Sequence, residues 1–403
     1  MFSFTSKVNT MHPSLLPTRV LLLVSACLLM VGQVAAQTYS FRELKPASAL
    51  CELASFAPLD QDGNVHGECT MWTGGIYFES GYPAPDMRTK AVTWKADGSR
   101  TISSYPFGAS VFQTWGRGPE GRTYADLVAT PVRRYNDLKR LGTYTYNGST
   151  WAKWVAPAPL TGAWTIADNN PLGMLLLASQ NATEAGVLAV VKDKAVTKLP
   201  AVPATAQGYT VGSTRVSTTG HVLVKMMMAA EGVAPRWYLW NGVQWQERTM
   251  AGLASQILPG LARGPGMLDF NSADVALVVT DDTPHDLFDK SGYRYQLWNT
   301  VSDTLQELPT RLIYQPQGGL NDSGVVAGEN LPVDAKPADY FGPRRATIWR
   351  AGQVIDLNDV STLPAGVVLR RAIAINNKGH VLVGIESIDG SSRPWSWGVL
   401  TPQ

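Results

Sequence analysis

Charge is scarce in this chain. Asp, Glu, Lys and Arg together supply 16% of the 403 residues, and the formal net charge is +2. Two cations, Lys7 and Arg19, lie in the first 36 residues and no acid does, so the remainder is neutral. A neutral chain excludes bulk electrostatic attraction to nucleic acid or to an anionic membrane. Long Glu/Lys/Ala-rich helical patterns are missing. So are a Gly-rich phosphate loop, a Cys-x-x-Cys pair, a His-Glu-x-x-His helix and a Gly-x-Ser-x-Gly elbow. Those absences remove the linear signatures of nucleotide, zinc and serine-hydrolase chemistry. They do not remove an enzyme whose residues gather from distant segments.

Hydrophobic runs are short, with one exception. Val20 to Val31 is apolar, follows Lys7 and Arg19, and precedes Val34-Ala35-Ala36. This is the pattern of a secretory signal peptide over residues 1–36, with the cut ahead of Gln37. The expected compartment is therefore extracellular or periplasmic, with no transmembrane segment after cleavage. Cysteine is rare too. Three are present, and Cys27 would leave with the leader. Cys51 and Cys69 remain as a possible disulfide in an oxidising compartment, or as two small buried thiols.

What the chain does have is Gly, Trp and Tyr in a rhythm. A turn glycine or its stand-in recurs at Gly63, Gly121, Gly173, Gly220, Asp274, Gly324 and Gly379, at intervals of 47 to 58 residues. After each comes a run apolar at consecutive positions, such as Met174 to Ala178 and Val275 to Val279. Such a strand is covered on both faces. A third segment ends in a large residue: Trp94, Tyr146, Trp240, Trp298, Trp349 and Trp397, with Val190 in the third copy. A second tight turn follows in several copies, as at Asp97-Gly98, Asn147-Gly148 and Asn241-Gly242.

Seven copies of a four-stranded unit near fifty residues predict an all-β, seven-bladed β-propeller over residues 37–403. The last copy lacks a fourth strand. Tyr39 to Leu44, ahead of the first copy, contains Arg-Glu-Leu where the fifth copy has Gln-Glu-Leu at Gln306 to Leu308. The N-terminal segment is therefore expected to complete the last blade and close the ring.

The pattern Ala374-Ile375-Asn376 through Gly384, and Gly319-Leu320-Asn321-Asp322-Ser323-Gly324 through Gly328 with Ala346 to Gly352, resembles the bacterial HAF repeat, or extracellular repeat, family. Asp356-Leu357-Asn358 and Leu400-Thr401-Pro402 match as well. The match covers the last third of the chain. The resemblance implies an exported β-repeat protein and brings no catalytic residues with it.

In a meandering blade the two short turns of every copy share one face of the disc, and the long connections share the other. The variable loops between second and third strands are the candidate surface. Trp72, Tyr77, Tyr82 and Arg88 suit glycan binding, or pack their own loop. Tyr340 and Arg344 read the same way. Arg133, Arg134 and Tyr135 suit an anionic ligand, or form a solvated face. Asp281, Asp282 and Asp286 surround His285, a set that could take Ca²⁺, and His285 is the leading histidine for a general base. His221 and His380 follow turn glycines, His66 lies close to the equivalent position, and all three read as turn or packing residues. Two functions stay open. One is a binding propeller, or envelope component, presenting its loops to an extracellular glycan or protein. The other is a polysaccharide lyase or hydrolase. Oligomeric state is not legible.

Overall fold

A computed structural model describes residues 37–45, 51–71, 88–129, 139–230, 233–250, 266–281, 293–308, 319–330, 344–387 and 396–403. Residues 1–36, where the expected leader falls, lie outside them. Thr38–Gln403 forms one unit.

The unit is a seven-bladed β-propeller, as the repeat predicts. Blades 1 to 5 are antiparallel four-stranded sheets whose strands follow chain order. Blade 3, for example, runs Trp164–Asn169, Leu175–Ser179, Leu188–Lys192 and Ala195–Lys198. Blade 6 shows three strands, and an isolated bridge between Leu320 and Val326 marks the place of its innermost one. Blade 7 takes three strands from the C-terminus and its fourth from Tyr39–Glu43. That strand lies antiparallel to Ser396–Pro402, with Phe41 opposite Leu400. Its own outer edge is covered by Ser361 and Thr362 in parallel pairing. Closure leaves blade 7 no open seam with the rest of the ring.

Consecutive apolar residues are needed because every sheet is sandwiched. Leu175 and Leu177 pack toward blade 2, while Leu176 packs toward blade 4. In blade 4, Val222 and Val224 face blade 3 and Leu223 faces blade 5. The buried apolar residues fall into seven clusters, each between two neighbouring blades. The third-strand aromatics are wedges in these seams. Trp298 is fully buried, meets Trp237 edge-on at 5.4 Å, and donates its indole N–H to Asp303 at 2.9 Å. Burying a side chain of this size contributes about 2–3 kcal/mol.

The first turn of every blade is a five-residue loop. The residue that opens it donates its N–H to the carbonyl four residues later: Asp60, Gly118, Asn170, Ser217, Asn271, Asn321 and Asn376, at 2.8–3.1 Å. Where that residue is Asn, its amide does two jobs. Asn376 Oδ1 accepts from the N–H groups of Lys378 and His380, and its Nδ2 donates to Asp60 O in blade 1 at 2.7 Å. Asn321 reaches Asn376 O and Asn271 reaches Asn321 O in the same way, as Asn170 reaches Ser217 O. The Asn of the repeat is thus a blade-to-blade staple as well as a turn former. Asp356-Leu357-Asn358 is another staple. Asn358 exchanges two hydrogen bonds with the backbone of Leu369, locking blade 6 to blade 7.

Cys69 is buried and disulfide-bonded. Across its hairpin it faces Leu53, whereas Cys51 faces Met71. The side chain of Cys51, the expected partner, lies outside the described residues.

Candidate functional site: the central channel

The first strand of each blade lines the axis. The residue two places before the turn sits at one equivalent level in all seven blades: Pro58, Gly116, Asp168, Arg215, Asp269, Gly319 and Ala374. Four blades carry nothing ionisable there. Blades 3, 4 and 5 carry Asp, Arg and Asp in succession. These three line a cavity of about 470 Å³.

Each of the three reaches into the next blade. Asp168 Oδ2 accepts from Val216 N at 2.7 Å, Arg215 Nε donates to Leu268 O at 2.8 Å, and Asp269 Oδ2 accepts from Leu320 N at 2.9 Å. Those backbone groups belong to innermost strands, whose free edges would otherwise face the axis unpaired. Arg215 Nη1 donates to Thr214 O at 2.8 Å and lies 3.7 Å from Asp168 Oδ1.

Burial dominates both acids. Only 13% of the Asp168 side chain is exposed. Desolvation pushes its carboxyl up to about 7, against the opposing pull of Arg215 and the Val216 N–H; Asp269 adds to the rise. Asp269 is pushed up to about 6 by burial, opposed by the Leu320 N–H and Arg215, and raised further by Asp322. The carboxylates therefore sense one another along the channel wall.

At the turn end the channel is laced. Asp322 Oδ2 accepts from Thr218 Oγ1 at 2.6 Å and from Asn377, and Oδ1 accepts from Ser272 N at 2.8 Å, so one carboxylate joins blades 4, 5, 6 and 7. Gln61 N in blade 1 donates past blade 2 to Pro171 O in blade 3. Arg117 and Lys378 both reach Asp62. Trp115 supplies apolar wall; Phe270 borders the cavity, but its side chain is buried in the seam between blades 4 and 5.

A second constellation has the outline of a catalytic line. Asp60 Oδ2 lies 3.3 Å from His66 Nε2, and His66 Nδ1 lies 3.3 Å from Thr93 Oγ1 and 3.4 Å from Thr123 Oγ1. The space beside it is about 10 Å³, less than a substrate needs. Burial would raise Asp60, but hydrogen bonds from His66 and Asn64 outweigh it and hold the carboxyl at about 2. This cluster ties the first turn of blade 1 to blade 2 and is structural.

Most loop candidates fall outside the described residues: Trp72, Tyr77, Tyr82, Arg133, Arg134, Tyr135, Asp282, His285, Asp286 and Tyr340. So do the side chains of Arg88 and Asp281, which sit at strand ends. Arg344 is described, and its guanidinium donates to buried Glu329 at 2.8 Å, with Arg371 3.3 Å from the other carboxylate oxygen. His221 and His380 hold turns, as their positions predict. Among the described residues no group of three or more His, Cys, Asp or Glu could hold a metal ion. No helix among them is long and apolar enough to cross a membrane. Sequence reading missed Asp168, Arg215 and Asp269. The signal is visible only when the copies are aligned on their turns, because each is otherwise one polar residue in a short strand.

No protein-family model matches the sequence, and no curated protein matches it. Among solved structures the chain is similar to a streptogramin B lyase, at 10% identity over 91% of this chain and 98% of that one, with a TM-score of 0.43. It is also similar to a puromycin-hydrolysing peptidase of Mycobacterium tuberculosis, at 14% identity over 89% of this chain and 53% of that one, TM-score 0.45. An ulvan lyase of a polysaccharide lyase family is similar at 11% identity over 83% and 76%, TM-score 0.32. The chain thus spans about half of the peptidase. At these identities the likeness concerns the propeller fold alone.

Proposed function

We propose that this chain is an exported recognition propeller, related to HAF-repeat proteins, that holds a glycan or protein-derived ligand at its long-connection face with the central channel as the pocket. One observation carries the reading. Among the described residues, every acid lining the channel is already committed as an acceptor of inter-blade hydrogen bonds: Asp168 to Val216, Asp269 to Leu320, Asp322 to three donors. Groups fixed in this way shape and charge a pocket more readily than they shuttle protons. The export signal and the aromatic and basic side chains of the variable loops fit the same role.

A second reading, an acid–base enzyme such as a lyase or hydrolase, is favoured by one feature: two channel carboxyls displaced upward to about 7 and about 6. One experiment separates the two. Purified protein is incubated with neutral and acidic polysaccharides and with peptides. Products are followed by reducing ends and by the ultraviolet absorbance of a new double bond, and binding by glycan array and calorimetry. Saturable binding without product supports recognition. Turnover that disappears in a folded Asp168→Asn variant refutes it and establishes the enzyme.

A further inference from the structure

The polarity of the channel goes further than its role as a pocket. Among the described residues its ionisable lining is Asp168, Arg215, Asp269 and Asp322, three acids against one base. Arg215 gives two of its N–H groups to the backbone carbonyls of Leu268 and Thr214 rather than to a carboxylate. Its nearest acid oxygen, on Asp168, is 3.7 Å away, beyond hydrogen-bond length. The cation is therefore anchored to the wall and only partly offsets its neighbours. The repeat does not require this arrangement, since Pro58, Gly116, Gly319 and Ala374 fill the same level elsewhere. Charge enters in three adjacent blades only, beside the cavity.

We propose that the channel binds a small organic cation, an ammonium-bearing molecule whose charge lies against the carboxylates of Asp168 and Asp269, on the side of each away from Arg215, and whose apolar body lies along Trp115. An anion would face three carboxylates. A metal ion would need ligands that converge, and Arg215 stands between the two acids in the order of the blades. An ammonium needs only negative potential and acceptor lone pairs, and the Trp115 ring adds cation–π attraction. This inference rests on the channel being the binding site.

Proton linkage follows. Asp168 and Asp269 hold protons to higher pH than free carboxylates because they are desolvated. The charged groups facing them are Arg215, Asp322 and each other. A bound cation favours the ionised forms, so binding near pH 6 expels protons and tightens as pH rises.

The test uses three matched probes, benzylamine, benzyl alcohol and benzoate, titrated calorimetrically into the protein at pH 6 and pH 8 in buffers of different ionisation enthalpy. Benzylamine is expected to bind saturably, about tenfold tighter at pH 8 than at pH 6, with a heat at pH 6 that varies with the buffer. Asp168→Asn with Asp269→Asn should weaken it at least about tenfold, since asparagine keeps the acceptors for Val216 and Leu320 but not the charge. Ser213→Trp, which fills the channel, should abolish binding. If benzyl alcohol or benzoate binds as tightly as benzylamine and Ser213→Trp removes that binding, the cation inference fails while the channel remains the pocket. Benzylamine binding that Ser213→Trp leaves untouched overturns both. Benzylamine binding that the Asp168→Asn, Asp269→Asn double variant leaves unchanged overturns the inference.

Discussion

Asp274 stands where six other blades place glycine, at φ 57°, and its carboxylate meets His221 Nδ1 of the preceding blade at 2.7 Å. The seam between blades 7 and 1 is built from the same parts differently. There the turn residue is Gly63, and the ring of His380 packs flat against the space a Cβ would fill, at 3.2 Å. One histidine position thus serves two seams, by a charged hydrogen bond where the partner has a side chain and by contact where it has none.

The backbone at Asp274 is strained by about 1 kcal/mol relative to glycine, and the bond to His221 offsets that strain. Asp274→Ala should cost about 2 kcal/mol, because the bond goes and the strain stays. Asp274→Gly should cost about 1 kcal/mol less than that. Urea unfolding of both variants checks the order: equal losses would show that the left-handed backbone is not strained, and no loss in Asp274→Ala would show that the His221 contact does not matter.

The inner-turn asparagines should be far more costly to lose than asparagines at the outer turns. Asn376 is fully buried, and truncation to alanine orphans two N–H groups and the Asp60 carbonyl, for an expected loss of about 3 kcal/mol. Asn147 makes similar turn bonds in the open, so Asn147→Ala should cost under about 1 kcal/mol. Denaturant midpoints of the two variants measure the difference.

Ring closure has a steric weak point at the N-terminal strand. A Cβ at Gly398 would collide with the ring of Phe41 in the N-terminal strand. Gly398→Ala is expected to destabilise the protein by about 2 kcal/mol, and to cost clearly less in a Phe41→Ala background. A purely additive double variant, measured by thermal unfolding, would mean that the two residues do not clash.

The channel acids set a pH profile with a definite sign. Asp168 is raised to about 7 from an unfolded value near 3.8, so the unfolded chain releases this proton first as pH rises. Its contribution to stability therefore falls between about pH 4 and pH 7, and the cost persists above. Asp60 acts oppositely: held at about 2, it stabilises above pH 4 and loses that contribution as pH drops toward 2. Asp168→Asn should flatten the upper limb and raise stability at pH 8 by about 2 kcal/mol. Unfolding free energies between pH 4 and pH 8 test both slopes.

Local chemistry written into the chain sufficed for the fold. Tight turns, closed by Gly in six copies and Asp in one and recurring near every fifty residues, strands apolar at consecutive positions, and Arg-Glu-Leu at the wrong end of the chain each report a constraint acting over a few neighbours. Strand pairing and sandwiching translate such constraints directly into blades, so seven blades and their N-terminal closure could be counted from residues alone. The pocket could not. Asp168, Arg215 and Asp269 lie some fifty residues apart, each inside an ordinary strand, and become neighbours only when three separate sheets bring their innermost edges to one axis. The displaced acidities of Asp168 and Asp269 are a product of that convergence too, since burial in a shared cavity, not sequence context, removes the water around the two carboxyls. The same division explains His66. Beside its turn glycine it reads as a packing residue, and only the packed ring decides that its Asp–His–Thr line opens onto a void too small for any substrate.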